Sequence, residues 1–168
     1  MILVSACLVG INCRFDGKSN LLPFLDEILA TGKLIPVCPE QLGGLPTPRL
    51  PAEISGGTAD EIIDHYLYKQ TPHLCPARVI NQAGKDVTLC FVRGARETLC
   101  LAQKVKAKAA ILKARSPSCG YGAVYDGSFS RKTVLSNGIT AELLAQNRIE
   151  VFTEEKLTPE LLRQLAGC

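Results

Sequence analysis

The sequence predicts an α/β protein: a three-layer α/β/α sandwich with a mostly parallel, Rossmann-like sheet. The first observation behind this is a set of short apolar runs, at 1–6, 34–37, 109–112 and 149–153, with the length and composition of buried strands. The second is that segments with helical periodicity or helix-capping residues separate these runs. Strands that alternate with helices along a chain are typical of a parallel sheet covered by helices.

The helices are predicted from local signals, taken in chain order. One helix is expected near 22–31, where a glycine ends it, and a longer one near 87–107. Apolar residues recur in the longer segment at spacings of three and four, which predicts an apolar stripe facing the sheet. A helix near 140–147 precedes the last strand, and Thr158-Pro159 opens a final helix.

The stretch 43–85 is rich in glycine and proline and is predicted to be irregular. A loop of that length inside a compact domain is unusual and often functional, so we expect it to act as a lid or substrate loop. The chain of 168 residues otherwise fits one domain, 1–168.

Composition narrows the function classes. The net charge of +3 is too small to indicate a nucleic-acid partner, and no apolar run reaches the about 20 residues of a membrane helix. The first ten residues, MILVSACLVG, lack a basic start and predict a strand rather than a signal peptide. Eight cysteines without an export signal indicate metal binding or thiol chemistry in a reducing cytoplasm. A homo-oligomer is left open.

Four cysteines lie where an apolar run gives way to a turn. If the preceding strands are parallel neighbours, their carboxyl ends meet in one crevice, which is where open α/β sheets bind ligands. Free backbone N–H groups at such turns stabilise a thiolate or a cluster sulfide. These cysteines, each with its neighbouring turn residue, are Cys7 (Gly10), Cys13 (Asn12), Cys38 (Pro39) and Cys119 (Gly120).

The remaining cysteines are expected to be incidental or to act as small buried hydrophobes. They are Cys75, Cys90, Cys100 and Cys168.

The spacing of the thiols bears on which metal they hold. Structural zinc commonly uses paired C-x₂₋₄-C ligands, and no such pair occurs here. His73 stands alone in the long stretch and is expected to be solvated. Dispersed thiolates favour an iron–sulfur cluster with one open iron, which is soft enough to take sulfur from a substrate.

Polar residues accompany the cysteines. Glu40, two residues after Cys38, is a candidate general acid or base, although a helix-cap or turn carboxylate is an equal alternative. Ser116 and Ser118 flank a proline, so their hydroxyls are candidates to contact a ligand; for Ser118 an ordinary turn hydroxyl is an equal alternative.

Several charged residues near the same strand ends either hold a heterocycle or an anionic phosphate, or are simply solvated. They are Arg14, Asp16, Lys18, Arg49 and Arg115. The paired glycines do not follow the dinucleotide fingerprint, which argues against NAD binding.

Six blocks of sequence carry a family resemblance. They are SACLVGINCRFDGKSN, PVCPEQLGGLPTPRLPAEI, GKDV…F…GA, AILKARSPSCG, VYDGSFS and NGITAELLAQNRIEVFTEE. Together they resemble the thiouracil desulfurase family from Met1 to about Glu155.

The resemblance implies a 4Fe-4S cluster held by three cysteines, with Cys7, Cys38 and Cys119 as ligands. It also implies non-redox release of sulfide from 2-thiouracil or a related thiolated base, nucleoside or nucleotide. Glu40 is then the proton donor or acceptor, and Ser116, with Ser118, orients the substrate. Cys13 belongs to the same blocks and is an alternative to Cys7 as the first ligand.

Three other functions remain open at this point. One is a non-catalytic metal-binding or iron–sulfur protein, serving as a sulfur carrier or redox sensor. Another is a thiol oxidoreductase that uses Cys7 and Cys13, although their spacing is not C-x-x-C. The third is RNA binding, against which the mild charge argues.

Overall fold

The structure is a computed structural model that describes residues 1–68 and 75–167. Two residues considered above, His73 and Cys168, lie outside the described residues. The strands are β1 (Ile2–Ser5), β2 (Leu34–Val37), β3 (Ala52–Ser55), β4 (Arg78–Asn81), β5 (Ala109–Leu112), β6 (Val124–Tyr125), β7 (Thr133–Val134) and β8 (Glu150–Thr153). The α-helices are α1 (Asp26–Ala30), α2 (Pro39–Leu42), α3 (Ala59–Ile63), α4 (Thr88–Lys104), α5 (Ile139–Gln146) and α6 (Pro159–Ala166).

A four-stranded sheet forms the centre, in the order β2-β1-β5-β8, and every neighbouring pair is parallel. These four strands are the four apolar runs of the sequence, so the predicted α/β fold with a parallel sheet is confirmed. Strands β1, β2 and β5 are adjacent, which brings their carboxyl ends to the same edge.

The two faces of the sheet carry separate cores. Alternate residues of a strand point to opposite faces, so Ile2 and Val4 of β1 pack in one core and Leu3 packs in the other. The first core includes Leu25, from the turn before α1, and Leu162 of α6. The second includes residues of α4, α5 and β5. Helices therefore cover both faces, as the three-layer prediction requires.

The stretch 43–85 is not irregular, and this part of the prediction was wrong. Its described residues contain the antiparallel pair β3–β4, helix α3 and a π-helical turn at Asp64–Tyr68. Helix α3 begins with a capping box, in which the Glu61 carboxylate accepts a hydrogen bond from the Thr58 N–H at 2.8 Å. Ile62, Ile63 and Val79 are fully buried here, in a third core that the segment shares with α4 and α5.

Element boundaries also differ from the predictions. The expected helix near 22–31 is a 3-10 turn, Pro23–Leu25, followed by the single turn of α1, and the helix near 87–107 is α4. The short hairpin β6–β7 was not predicted, since its strands have two residues each. In the described part of the chain, no helix combines the length and the hydropathy that crossing a membrane requires.

Candidate active site

The loops that follow β1, β2 and β5 line one cavity of about 660 Å³ at the carboxyl edge of the sheet. Four thiols lie on its wall, and they come from three segments far apart in sequence: Cys7, Cys13, Cys38 and Cys119. The convergence predicted from the strand-to-turn boundaries therefore occurs. The other described cysteines, Cys75, Cys90 and Cys100, do not line this cavity.

Three of the four thiols, those of Cys7, Cys38 and Cys119, lie in the turns that follow three strands of the sheet. Cys7 lies in a 3-10 turn, Ala6–Val9, that continues directly from β1 and ends at Gly10, whose φ of +88° suits glycine. Cys38 directly follows β2 and precedes α2. The turn that carries Cys119 is closed by Ser116, whose Oγ accepts the N–H groups of Ser118 and Cys119 at 3.1 Å each.

Helix α2 is fixed by its close packing on α4. A Cβ added at Gly43 would lie 2.0 Å from the carbonyl oxygen of Cys90, and one added at Gly94 would lie 1.9 Å from that of Pro39. Only glycine permits this approach of the two backbones. The packing sets the position of α2 and, with it, of Cys38 and Glu40.

The thiols perturb one another's pKa values. The hydrogen bond with Cys13 and burial both raise the pKa of Cys38. The hydrogen bond with Cys38 lowers the pKa of Cys13, but its hydrogen bond with Cys7 and its burial outweigh this and raise the pKa to about 11. Burial raises the pKa of Cys119 to about 12, against a hydrogen bond with Ser5 that lowers it. The Cys38 thiol also donates to the backbone carbonyl oxygen of Cys13 at 3.7 Å, so these two cysteines are in contact.

The donor set fits an iron–sulfur cluster better than a single ion. The thiols are free, and no group of three or more His, Cys, Asp or Glu side chains within 1–68 and 75–167 is arranged to hold one metal ion. A mononuclear zinc ion draws its sulfur ligands to about 2.3 Å, whereas a cluster spreads its ligands over several irons. Four soft thiols on one cavity wall suit the ligation of an iron–sulfur cluster.

Glu40 faces the same cavity and is held by Arg49. The Arg49 Nε donates to Glu40 Oε2 at 2.6 Å, and the two side chains are 7% and 17% exposed. The guanidinium also donates to the carbonyl oxygen of Cys13 at 3.0 Å and to that of Pro46 at 3.2 Å. Arg49 is therefore a buried clamp between Glu40 and the Cys13 loop, and the alternative of a solvated charge is wrong for it.

The two serines of the SPSCG turn have different surroundings. Ser116 lines the cavity, and because its Oγ accepts two N–H groups, its own proton is available to donate to a ligand. Ser118 is 1% exposed, and its hydroxyl bonds to the hydroxyl of Thr140 at 2.8 Å. It is not among the residues that line the cavity. The geometry therefore does not support the expected role of Ser118 in orienting substrate, because its hydroxyl is used in packing α5.

Comparison with known proteins identifies the family. A model of the 2-thiouracil desulfurase family matches residues 2–156. The chain belongs to the 2-thiouracil desulfurase family. It is also 41% identical over 157 residues to the uncharacterized protein YbbK of Bacillus subtilis (strain 168). The aligned residues cover 94% of this chain and 97% of that protein. The predicted resemblance is thus confirmed.

A solved structure is similar to this desulfurase-family chain over nearly its whole length. It is that of the 4Fe-4S-dependent thiouracil desulfidase TudS, with 38% sequence identity and a TM-score of 0.79. The similarity covers 99% of this chain and 98% of that one. The shared fold and the 38% sequence identity agree with the family assignment.

Three other cations at the rim of the desulfurase-family cavity are paired with carboxylates. Lys113 forms an ion pair with Glu154 at the ends of β5 and β8, and Arg115 forms one with Glu155. The Arg14 guanidinium hydrogen-bonds the Asp16 carboxylate and holds its pKa below the ordinary value. These pairs lie around the thiols and do not form an unpaired cationic surface.

Sequence reasoning missed two residues that shape the cavity wall in this family member. Glu53 of β3 and Phe129 of the β6–β7 hairpin both line it. The Glu53 residue is 7% exposed. Its one sequence signal is that an acidic residue stands between two apolar residues. Phe129 lies in the VYDGSFS block but carries no local sign of its position.

Proposed function

We propose that this chain removes the sulfur of a thiolated pyrimidine as sulfide, without net redox change, at a 4Fe-4S cluster. The substrate class is 2-thiouracil or a related thiolated nucleoside or nucleotide, and the proposed location is the cytoplasm. The observation that carries the proposal is the shared cavity wall of four thiols, Glu40 and Ser116. Membership of the 2-thiouracil desulfurase family and similarity to a 4Fe-4S-dependent enzyme support it.

The proposed ligands are Cys7, Cys38 and Cys119, one from each of three adjacent strand ends. Cys13 lines the same cavity wall, so it is the alternative to Cys7. When bound, the cluster supplies an iron that acts as a Lewis acid toward the thiocarbonyl sulfur. No histidine lies on the described cavity wall, so the donors there are soft thiols.

The chain's own residues then supply positioning and proton transfer. Arg49 engages Glu40 Oε2, which leaves Oε1 without a hydrogen-bond partner among the described residues and able to accept a proton from water. Ser116 donates its hydroxyl proton to a polar atom of the ring and so fixes its orientation. The oxygen of water bonds to the ring carbon and becomes its carbonyl oxygen, one water proton passes to Glu40 and the other to the sulfur, the carbon–sulfur bond breaks, and sulfur leaves as hydrosulfide. No electron is gained or lost, so no oxidant or reductant is needed.

The deciding experiment is anaerobic reconstitution with iron and sulfide, followed by visible absorption and an assay of sulfide release from 2-thiouracil. We expect a cluster spectrum and sulfide release in the wild type. A cluster without release from any thiolated base would favour the sulfur-carrier or redox-sensor alternative. Binding of zinc in place of a cluster would refute the proposal.

Variants separate the roles of the site residues. Glu40→Gln is expected to keep the cluster spectrum and to lower turnover by about 10²–10⁴-fold, the usual contribution of a general acid or base. Serine variants of Cys7, Cys38 and Cys119 are expected to lose the cluster, whereas Cys100→Ser, on the exposed surface of α4, is the matched control. If Cys13→Ser loses the cluster and Cys7→Ser retains it, Cys13 is the first ligand.

A further inference from the structure

The loop between β6 and β7 lies on the wall of the thiol cavity. Phe129 and Arg131 of this loop, with Tyr125 of β6, line the cavity together with the four cysteines. Phe129 has a φ of +56° and Arg131 a φ of +65°, in the left-handed region that non-glycine residues seldom adopt. Strained backbone of this kind persists only where surrounding structure enforces it, and it is concentrated at functional sites.

Glu53 enforces the conformation of the loop. Its buried carboxylate, on β3, accepts the backbone N–H groups of Gly127 at 2.9 Å and Phe129 at 3.0 Å through the same oxygen. Gly127 has a φ of +86°, and a Cβ there would lie 2.6 Å from the carbonyl oxygen of Ile54, so the loop lies directly against β3. The Asp126 carboxylate also accepts the N–H of Ser128 at 3.0 Å. The loop is therefore preorganised before any ligand binds.

The ring of Phe129 differs from the other phenylalanine ring on the wall. The ring of Phe15 is approached by the Arg14 guanidinium, 5.7 Å from its centroid, and Phe15 is 42% exposed. Phe129 is half-buried, and among the described residues its ring makes no aromatic or cation–π contact. An aromatic residue on the cavity wall, on a backbone held by Glu53 and beside polar groups, is suited to stacking on a planar heterocycle.

We propose that Phe129 is the surface on which the pyrimidine ring of the substrate stacks, and that Glu53 is the positioning residue that holds it there. This inference rests on the proposed desulfurase function and adds to it a residue that selects flat, unsaturated rings. An aromatic side chain can stack on any nucleobase, because every base has a π-face. Phe129 therefore contributes to binding and to the choice of ring, whereas bond cleavage depends on other groups of the same cavity wall, Glu40 and Ser116.

The test compares Phe129→Leu and Phe129→Tyr with the wild type after cluster reconstitution. In Phe129→Leu we expect the KM for 2-thiouracil to rise about 5- to 100-fold, with kcat within about threefold and the cluster spectrum unchanged. Phe129→Tyr keeps an aromatic face and is expected to restore KM to within about threefold of the wild type. The matched control is Leu135→Ala, which changes a 95% exposed residue just beyond β7 and should leave both constants unchanged.

A second readout does not depend on turnover. Equilibrium dialysis of the reconstituted protein with uracil, and with 5,6-dihydrouracil, whose ring is saturated at two carbons, measures the preference for a flat ring. We expect the wild type to prefer uracil and Phe129→Leu to lose most of that preference. Glu53→Gln should weaken uracil binding, because one amide oxygen replaces a charged acceptor of two N–H groups.

Three results overturn parts of this account, and each points to a different part. An unchanged KM and an unchanged preference in folded, reconstituted Phe129→Leu would remove Phe129 as the stacking surface. A rise in KM in Phe15→Leu without one in Phe129→Leu would move that role to Phe15. Absence of sulfide release in the wild type would refute the proposed desulfuration. The dialysis comparison would still decide whether Phe129 binds a flat ring.

Discussion

Replacement of Arg49 by alanine should destabilise the fold although Arg49 lies in a loop. The side chain is 7% exposed and donates to Glu40 at 2.6 Å and to the Cys13 carbonyl oxygen at 3.0 Å. Removing one partner of a buried ion pair costs about 3–5 kcal/mol, because the other charge stays buried without a partner. Water in the cavity can reach the 17% exposed Glu40 and solvate it, so we expect the lower end, about 3 kcal/mol.

The assay is urea unfolding of the metal-free protein followed by far-UV circular dichroism. A loss of about 3 kcal/mol lowers the urea midpoint by about 1–2 M if the slope is unchanged. Arg49→Lys keeps one charged donor but not the planar fork and should lose about half as much. The matched control is Arg163→Ala: its pair with Glu160 spans 3.4 Å, with side chains 52% and 76% exposed, and should change stability by no more than about 0.5 kcal/mol. A loss below about 1 kcal/mol in Arg49→Ala would refute the buried clamp.

Three further predictions concern the supports of the site. Gly94→Ala should cost about 1–3 kcal/mol in urea unfolding and weaken cluster retention, because its Cβ would lie 1.9 Å from the Pro39 carbonyl oxygen. Glu53→Ala should cost about 1.5–3 kcal/mol and raise the hydrogen-exchange rate of the Phe129 amide, which then loses its charged acceptor. Cluster loading should be faster at pH 8 than at pH 6, measured by visible absorption, because ligation requires thiolates and burial raises the pKa of Cys119 to about 12; a rate that falls with pH would contradict this.

The cysteine site is predictable from sequence because it depends on a general property of parallel sheets. Cys7, Cys38 and Cys119 each follow a strand by a few residues, and adjacent parallel strands end at one edge. Strand order itself was not needed in detail, since any arrangement that makes the three strands neighbours brings the thiols together. The local sequence was therefore sufficient to predict which cysteines meet in the cavity.

The remaining parts of the site depend on contacts that no local pattern encodes. Arg49 is buried because its loop crosses the Cys13 loop, and a charged residue between prolines gives no sign of that path. Ser116 and Ser118 occur two residues apart in one turn, and only the packing of Thr140 against Ser118 shows which hydroxyl is occupied. The short elements within 43–85 were missed because each has four or five residues and its glycines and prolines resemble those of a loop.

The two chemistries of the proposed reaction rest on separate supports. The thiols are placed by turns at three strand ends, and ligation of a cluster would join those segments and add to folding stability. Glu40 is placed by Arg49 and by the packing of α2 on α4, neither of which needs a metal. Loss of the cluster should therefore leave the proton-transfer group in position, whereas loss of Arg49 should disturb it with the thiols still present. Because Cys38 and Glu40 share α2 and its entry, the packing of α2 on α4, at Gly94 against Pro39 and at Gly43 against Cys90, supports both. A change there should impair cluster retention and turnover together, unlike a change at Glu40, which should lower turnover alone.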